Sequence, residues 1–175
     1  MNILAVDTAG KTAGVALLQD DRLLYEVYLD GGRTHSETLM PMIDSCLKMC
    51  GLTCADIDLY AVNAGPGSFT GLRIGLAAVK GLAFPRETLC APVSTLEALA
   101  AAHTGEGTVL CALDARRAQV YSAAFDLATH TRLLDDDARA VTDLADFVEN
   151  CKKPLFFVGD GAGLCYNCLL YTSPS

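Results

Sequence analysis

Residues 65–75, Gly-Pro-Gly-Ser-Phe-Thr-Gly-Leu-Arg-Ile-Gly, constrain the possible folds of this chain more than any other segment. They follow an apolar segment at residues 58–63 that is typical of a β-strand. From Leu72 to Ala83 the apolar residues recur at helical spacing. Glycines between a strand and a helix permit positive φ angles and a close approach of backbones. The sequence therefore predicts a strand, a glycine-rich loop and a helix in succession.

Two functions of this loop are consistent with its residues. Its glycines do not have the G-x-G-x-x-G spacing of a dinucleotide-binding loop. Exposed backbone amides at the start of the following helix could bind an anion. Alternatively, Gly71 and Gly75, four residues apart, could let a helix of a neighbouring subunit come close. The residues alone favour neither alternative.

Apolar periodicity and turn residues predict the other elements of the first half. Three antiparallel strands open the chain, and Thr34 with Glu37 fits a capping box at the start of the first helix. Pro41 either makes the first turns of this helix irregular or marks a start near Met40. A second capping box, Ser94–Glu97, starts another helix. The predicted strands and helices of this half are residues 2–6, 12–18, 22–29, 36–50, 58–63, 72–83, 88–93 and 95–102.

The pattern begins again after Thr104–Thr108, which has the composition of a linker. Such a restart indicates an internal duplication. The predicted fold is α/β, with two ribonuclease-H-like domains of the actin-like ATPase (ASKHA) type at residues 1–104 and 105–175. We expect the second domain to be truncated, with an atypical tail from about residue 165 that is disordered or poorly packed. The predicted elements of this half are residues 108–113, 118–126, 131–134, 142–150 and 155–158.

The charge of the chain disfavours direct binding of nucleic acid. Its 13 basic and 21 acidic residues give a formal net charge of -8, and both halves are acidic. The only adjacent basic pairs are Arg116-Arg117 and Lys152-Lys153, whereas a polyanion-binding module needs clustered Lys and Arg. Any contact with RNA is therefore expected to depend on a partner. The chain has no signal-peptide h-region and no apolar run of transmembrane length, so we expect a cytoplasmic protein.

The eight cysteines are predicted to be mostly free thiols in the core. Cys46, Cys50, Cys90 and Cys111 lie in apolar periodic segments, where a reduced thiol behaves as a small hydrophobe. The spacings Cys46-x3-Cys50-x3-Cys54 and Cys165-x-x-Cys168 could hold zinc or a redox disulfide. The first has no matching second pair of ligands, and the second lies in the atypical tail. We therefore predict no metal site.

Several residues could carry chemistry, and each has a simpler explanation. Asp7–Thr12 could present a carboxylate and amides to phosphate and a hydrated metal, or could be a plain hairpin turn. It is not a P-loop, because Ala5 stands where the first Gly is needed and a strand follows. His35 lies in a helix cap with Glu37, and capping explains that carboxylate without acid–base catalysis. Ser68 has no identifiable His and Asp partners, so the sequence predicts no catalytic residue.

These motifs together resemble the TsaB (YeaZ) family. The most specific match is Gly65–Gly75 followed by Lys80-Gly-Leu-Ala83, and the resemblance extends from residue 1 to about 162. It departs at the tail, where the family continues for some tens of residues. Supporting matches are Val6–Thr8, His35–Glu37 with Pro41, Val93–Ala100, Asp114–Arg117 with Val120-Tyr121, and Val158–Ala162.

The resemblance implies a non-catalytic partner subunit in the formation of N6-threonylcarbamoyladenosine at position 37 of tRNAs that read codons starting with A. Such a subunit binds and activates a TsaD-like transferase, helps to recruit a TsaE-like ATPase, forms a homodimer when alone, and meets tRNA through the complex. The complex uses ATP and Mg, and no cofactor is assigned to this chain. The His-x3-His metal pair of TsaD-like subunits is absent, because the histidines are His35, His103 and His130.

The resemblance also assigns three groups of residues. The family pairs through its first two helices, which implies a dimer or partner interface at Leu39, Ile43, Cys46, Phe69, Leu72, Arg73, Leu76 and Val79; the alternative is that these residues fill the core. Vestigial phosphate or nucleotide loops correspond to Asp7, Thr8, Gly10, Asp114, Gly159 and Gly161. The signature loop consists of Gly65, Pro66, Gly67, Ser68, Thr70 and Gly71.

Two other functions stay open. The first is an actin-like small-molecule kinase or ATPase that uses Asp7, Asp114 and the glycine turns around Mg-ATP. The second is a glycoprotease-like hydrolase, which would need a metal or nucleophile site that the sequence does not show.

Overall fold

Two separate β-sheets and the helices packed on them make up the structure, a computed structural model that describes residues 1–170. Its backbone contacts divide the chain into two compact units between Thr95 and Leu96. The sheet of the first unit has the strand order β3-β2-β1-β4-β5, in which β1, β4 and β5 are parallel. The elements of this unit are β1 (Asn2–Asp7), β2 (Ala13–Gln19), β3 (Arg22–Leu29), α1 (His35–Met49), β4 (Leu59–Gly65), α2 (Phe69–Ala83) and β5 (Leu89–Ser94).

Helix α1 begins at His35, directly after the N-cap Thr34. The backbone N–H of Thr34 donates to the Glu37 carboxylate at 3.3 Å, which confirms the predicted capping box. Pro41 lies inside the helix and is exposed, where water can replace the lost backbone hydrogen bond. The alternative start near Met40 is therefore wrong.

The core of the first unit lies between the sheet and its two long helices. Alternate residues of β1 and β2 are buried because side chains of a strand point to opposite faces of the sheet. Residues at helical spacing on α1 pack against them. The fully buried members of this core include Leu4, Val6, Val15, Leu17, Leu39, Ile43, Cys46, Tyr60, Val62 and Val79.

The second unit has a four-stranded sheet in the order β8-β7-β6-β9. Strands β6 and β9 are parallel, and β6, β7 and β8 are antiparallel neighbours. This order repeats β3-β2-β1-β4 of the first unit, as the predicted duplication requires. The elements are α3 (Thr95–Ala101), β6 (Thr108–Arg116), β7 (Gln119–Asp126), β8 (Arg132–Ala140), α4 (Ala145–Asn150), β9 (Leu155–Val158) and α5 (Ala162–Leu170).

The duplication extends to single side chains at the ends of β1 and β6. The Asp7 carboxylate accepts the backbone N–H of Ala9 at 2.8 Å. In the same way, the Asp114 carboxylate accepts the backbone N–H of Arg116 at 2.7 Å. Each first strand thus leaves its sheet through the same aspartate-stabilised turn.

Helix α3 packs with the second unit, although the linker suggested by the sequence lies after it. Leu96 and Ala100 are buried in a cluster with Val109, Ala123 and Phe125 of the second sheet. The compact units therefore divide nine residues before the linker. The domain bounds 1–104 and 105–175 stay a prediction.

The tail from residue 165 was expected to be poorly packed, and for residues 165–169 this is wrong. Helix α5 continues to Leu170, Cys165 is fully buried, and Leu169 packs against the cluster around Leu110. Cys165, Cys168 and Leu169 pack in the cluster that includes Leu110 and Val120 of the second sheet. Residues 171–175, the remainder of the predicted tail, lie outside the described residues.

All eight cysteines are free thiols, but only some are in the core. Cys46, Cys111 and Cys165 are buried, and burial raises the pKa of each thiol, to about 11, 12 and 11 respectively. Cys90 was predicted to be a core thiol and is exposed on β5, an edge strand of its sheet. Thiols with raised pKa values are poor nucleophiles at neutral pH.

Candidate functional site

The signature loop lies directly on the turn that follows β1. The backbone N–H of Ser68 donates to the carbonyl oxygen of Ala9 at 2.7 Å. The Thr8 hydroxyl donates to the carbonyl oxygen of Gly71 at 2.8 Å. Thr8 and Ala9 are almost completely buried as a result. The loop and the turn therefore form one hydrogen-bonded unit that fixes where α2 begins.

Three glycines make this approach possible. A Cβ atom at Gly67 would lie 2.6 Å from the carbonyl oxygen of Ala9, closer than carbon and oxygen can come. A Cβ at Gly71 would overlap the carbonyl oxygen of Thr8, and one at Gly75 would overlap the Thr8 hydroxyl. The interpretation in which Gly71 and Gly75 admit a helix of a neighbouring subunit is wrong, because both glycines are buried against the turn of their own unit.

Ser68 also completes the N-terminus of α2. Its hydroxyl oxygen accepts the backbone N–H of Gly71 at 3.3 Å, as an N-cap residue does. This accounts for the hydroxyl at this position without a nucleophilic role.

The turn formed by Asp7, Thr8 and Gly10, assigned by resemblance as a vestigial phosphate loop, is occupied by the chain itself. The Asp7 carboxylate accepts the Ala9 amide, and the carbonyl of Gly10 lies 2.9 Å from Nε2 of His35. The start of α2 covers the other side of the turn. This arrangement disfavours phosphate binding at the turn, and with it a kinase that works through this site.

The second unit repeats this arrangement at Asp114, Gly159 and Gly161. The backbone N–H of Asp114 donates to the Asp160 carboxylate at 2.9 Å, and the N–H of Gly161 donates to the carbonyl of Ala112 at 3.0 Å. Gly159 has a φ of 103°, and a Cβ there would overlap the same Ala112 carbonyl. The glycine turn after β9 therefore lies on the end of β6 just as the signature loop lies on the end of β1.

One face of α2 is exposed and apolar. Phe69 is 69% exposed, and the guanidinium carbon of Arg73 lies 4.0 Å from the centre of its ring. Leu76 is 40% exposed, and Leu72 is partly buried against Gly65. These four residues are spaced three and four apart, so they share one side of the helix. The structure thus brings together four of the eight residues predicted for a partner interface.

The other four predicted interface residues are in the core, which corrects their assignment. Leu39, Ile43, Cys46 and Val79 are each at most 1% exposed and pack against the sheet. An amphipathic helix repeats its apolar residues at the same spacing whether they face a core or a partner. Met40 and Phe84, which are 45% and 83% exposed, were not singled out by the sequence. No periodic signal distinguishes them from core positions.

Comparison with known proteins identifies the family. Residues 30–167 match the family model described as "TsaD: tRNA N6-adenosine threonylcarbamoyltransferase". The tRNA threonylcarbamoyladenosine biosynthesis protein TsaB of Bacillus subtilis is 33% identical over 167 residues, which cover 94% of this chain and 73% of that protein. This chain belongs to the TsaB (YeaZ) family. The TsaB of Escherichia coli is 39% identical over 128 residues, but the matched part spans only 55% of its length.

Solved structures of YeaZ proteins agree with this result. YeaZ from Pseudomonas aeruginosa has a TM-score of 0.69 and 34% identity, over 79% of this chain and 66% of that one. A second structure, described as a protein with similarity to peptidase YeaZ, has a TM-score of 0.71 and 28% identity over 90% of this chain. The predicted α/β fold is therefore confirmed as the YeaZ fold.

Two properties of residues 1–170 bear on other classes of protein. None of the helices there combines the length and the apolar character needed to cross a membrane. That part of the chain also contains no group of three or more His, Cys, Asp or Glu side chains placed to hold a metal ion.

Proposed function

We propose that this TsaB-family chain is a non-catalytic partner subunit in the formation of N6-threonylcarbamoyladenosine at position 37 of tRNAs that read codons starting with A. It binds and activates a TsaD-like catalytic subunit and helps to recruit a TsaE-like ATPase in the cytoplasm. Its contact with tRNA is made through the complex, which uses ATP and Mg. In the absence of the catalytic subunit it forms a homodimer. The names of the TsaB relatives support this role in tRNA modification.

The exposed face of α2 is the observation that carries the proposal. The apolar side chains of Phe69 and Leu76 are exposed to water, and the Arg73 guanidinium stacks on the Phe69 ring. Aromatic and arginine side chains are enriched among the residues that dominate the affinity of protein interfaces. The start of α2 is held rigidly by Thr8 and Ser68, so the face is ordered before a partner binds.

The same geometry supports a binding role over a catalytic one. The side chains near α2 that could act as an acid, a base or a nucleophile already have structural partners. Glu37 caps α1, Ser68 caps α2, and His35 is hydrogen-bonded to the carbonyl of Gly10. A general base needs a free position near a substrate. These three groups instead fix the relative placement of α1, α2 and the first turn.

The test is size-exclusion chromatography with light scattering on the chain mixed with a TsaD-like subunit from the same source. Phe69→Glu and Leu76→Glu are expected to abolish the heterodimer and to remove activation of threonylcarbamoyl transfer to tRNA. Leu89→Glu is the matched control, because Leu89 is 74% exposed on β5. It should leave both properties unchanged.

Two results would overturn the proposal. One is a heterodimer that survives both substitutions on α2. The other is a folded chain that does not associate but binds ATP tightly and hydrolyses it, which would favour the kinase or ATPase alternative.

A further inference from the structure

A groove of about 470 Å³ lies between strand β3 and helix α1, and none of its lining residues belongs to the predicted interface, the vestigial phosphate loops or the signature loop. Its strand side is formed by alternate residues of β3, and its helix side by residues of one face of α1. From Tyr25 to Leu29 the strand rises about 13 Å, and from Glu37 to Ser45 the helix rises about 12 Å. The lining residues are Tyr25, Val27, Leu29, Gly31, Arg33, Glu37, Thr38, Pro41, Met42 and Ser45.

Strand β3 is an edge strand, and within residues 1–170 no strand pairs with its outer backbone groups. Natural proteins usually protect such edges with charged residues, bulges or short strands. β3 is eight residues long with Arg22 and Glu26 as its only charged residues, and Tyr28 on it is 75% exposed. Its ladder with β2 has one register shift, between Leu23 and Tyr25, and is regular from Val27 to Leu29. The end of the edge from Val27 to Leu29 is therefore open to pairing with another strand.

The duplicated unit provides an internal comparison. Strand β8 has the same edge position in its sheet as β3. It carries the acidic run Asp135–Asp137 together with Arg132 and Arg139, and its pairing with β7 is interrupted by shifts of register. These are the features that prevent edge pairing. Strand β3 has one such shift, between Leu23 and Tyr25, but its end from Val27 to Leu29 carries neither a shift nor a charged side chain. This end of β3 is therefore less protected than β8, which points to a use for it.

One end of the groove carries a positive charge. The Arg33 guanidinium forms no hydrogen bond or ion pair with the described residues. The neighbouring Glu37 carboxylate is held by the backbone N–H of Thr34. An unpaired guanidinium beside an apolar groove complements a carboxylate on a ligand whose remaining part is apolar.

We propose that β3 and this groove bind an extended segment of a partner protein by strand addition. The segment pairs antiparallel to β3, and its alternate apolar side chains enter the groove between Tyr25, Val27 and Pro41. Backbone hydrogen bonds to the edge supply affinity, and the groove selects the side chains. An Asp or Glu near the N-terminal end of the segment pairs with Arg33, because the antiparallel direction brings that end to the loop after β3.

The experiment is selection of a random heptapeptide library, displayed on phage, against the full chain. Enriched sequences are expected to alternate apolar and polar residues and to carry an acidic residue in their first two positions. The most enriched peptide is then synthesised with a fluorophore, and its binding is measured by fluorescence anisotropy. Arg33→Gln should weaken binding by about tenfold. Ser45→Trp, which fills the groove from its rim, should abolish binding.

Matched controls distinguish the loss of binding at the groove from the effect of removing any cation or adding any indole on the surface. Arg22→Gln removes a cation at the opposite end of β3, and Met49→Trp adds an indole at an exposed position of α1 outside the groove. Both should bind the peptide as the unmodified chain does. The proposal is overturned by a library without enriched sequences, or by enriched peptides that bind Ser45→Trp equally well. A dimer of the chain that Ser45→Trp dissociates and Phe69→Glu does not would show that a second copy occupies the edge instead.

Discussion

The glycines inside helix α2 differ in what surrounds them. Gly71 and Gly75 are buried against the turn at Thr8, whereas a Cβ at Gly81 would meet nothing within 4 Å. The sequence shows all of them as glycines at helical positions. Only the structure separates those that allow close packing from the one that does not.

This difference gives a matched pair of substitutions. Gly71→Ala forces a methyl group into the carbonyl of Thr8 and should destabilise the chain by about 2 kcal/mol, as overpacking does. Gly81→Ala adds the same group in open space and should stabilise it by about 0.5–1 kcal/mol, because alanine loses less backbone entropy in a helix. Urea unfolding followed by circular dichroism measures both values. Equal effects of the two substitutions would contradict the role given to Gly71.

The exposed face of α2 shows which part of a candidate site can be predicted from a sequence. Apolar spacing identified residues of α1 and α2 that are either buried or available to a partner. Phe69 and Leu76 are exposed, whereas Ile43 and Val79 have the same chemical character and are buried. The side that a helix turns to its sheet is set by packing over the whole unit, which local periodicity does not encode.

At the level of elements, strands and helices were predicted well where turn residues mark their ends. Boundaries were wrong where such residues are missing. Strand β6 extends to Arg116 and not to residue 113, because the hairpin turns at Arg117 and Ala118 without Gly or Asn. Strand β8 extends to Ala140 and not to residue 134, because its acidic run has the composition of a loop. An edge strand tolerates such charges.

The hairpin between β6 and β7 leads to a prediction at this scale. Arg116, Arg117 and Ala118 have φ values of 69°, 54° and 58°, a region that is unfavourable for residues with a Cβ. Ala118→Gly should raise the free energy of unfolding by about 0.5–1 kcal/mol, since glycine adopts this conformation without steric cost. Ala115→Gly, in β6 without a positive φ, should lower it by a similar amount.

Thermal and urea unfolding of these two variants provide the measurement. Destabilisation by both substitutions would mean that the turn is not strained in the folded chain. Stabilisation by Ala118→Gly alone would support a type I′ turn that is strained by the Cβ of Ala118.

At the scale of the whole molecule, the sequence predicted an internal duplication, and the two sheets share the strand order that it implies. Each unit has its own buried core: one around Leu4, Leu17 and Ile43, the others around Leu110 and Val109. The sequence could not place α3, since the helix is apolar and lies next to the linker. The position of a linker shows where the chain is solvated, whereas the packing of side chains decides which core a helix joins.

Separate cores predict separate unfolding. Gly71→Ala strains only the first core, and Leu110→Ala opens a cavity at a fully buried position of the second, which costs about 2–5 kcal/mol. Hydrogen exchange followed by mass spectrometry is expected to show faster exchange in β1, β2 and β4 for the first variant, and in β6 and β7 for the second. If either substitution accelerated exchange equally in both sheets, the chain would unfold as one cooperative unit and the two-domain prediction would be wrong. Confinement of each effect to its own sheet would establish two domains, each stabilised by its own core.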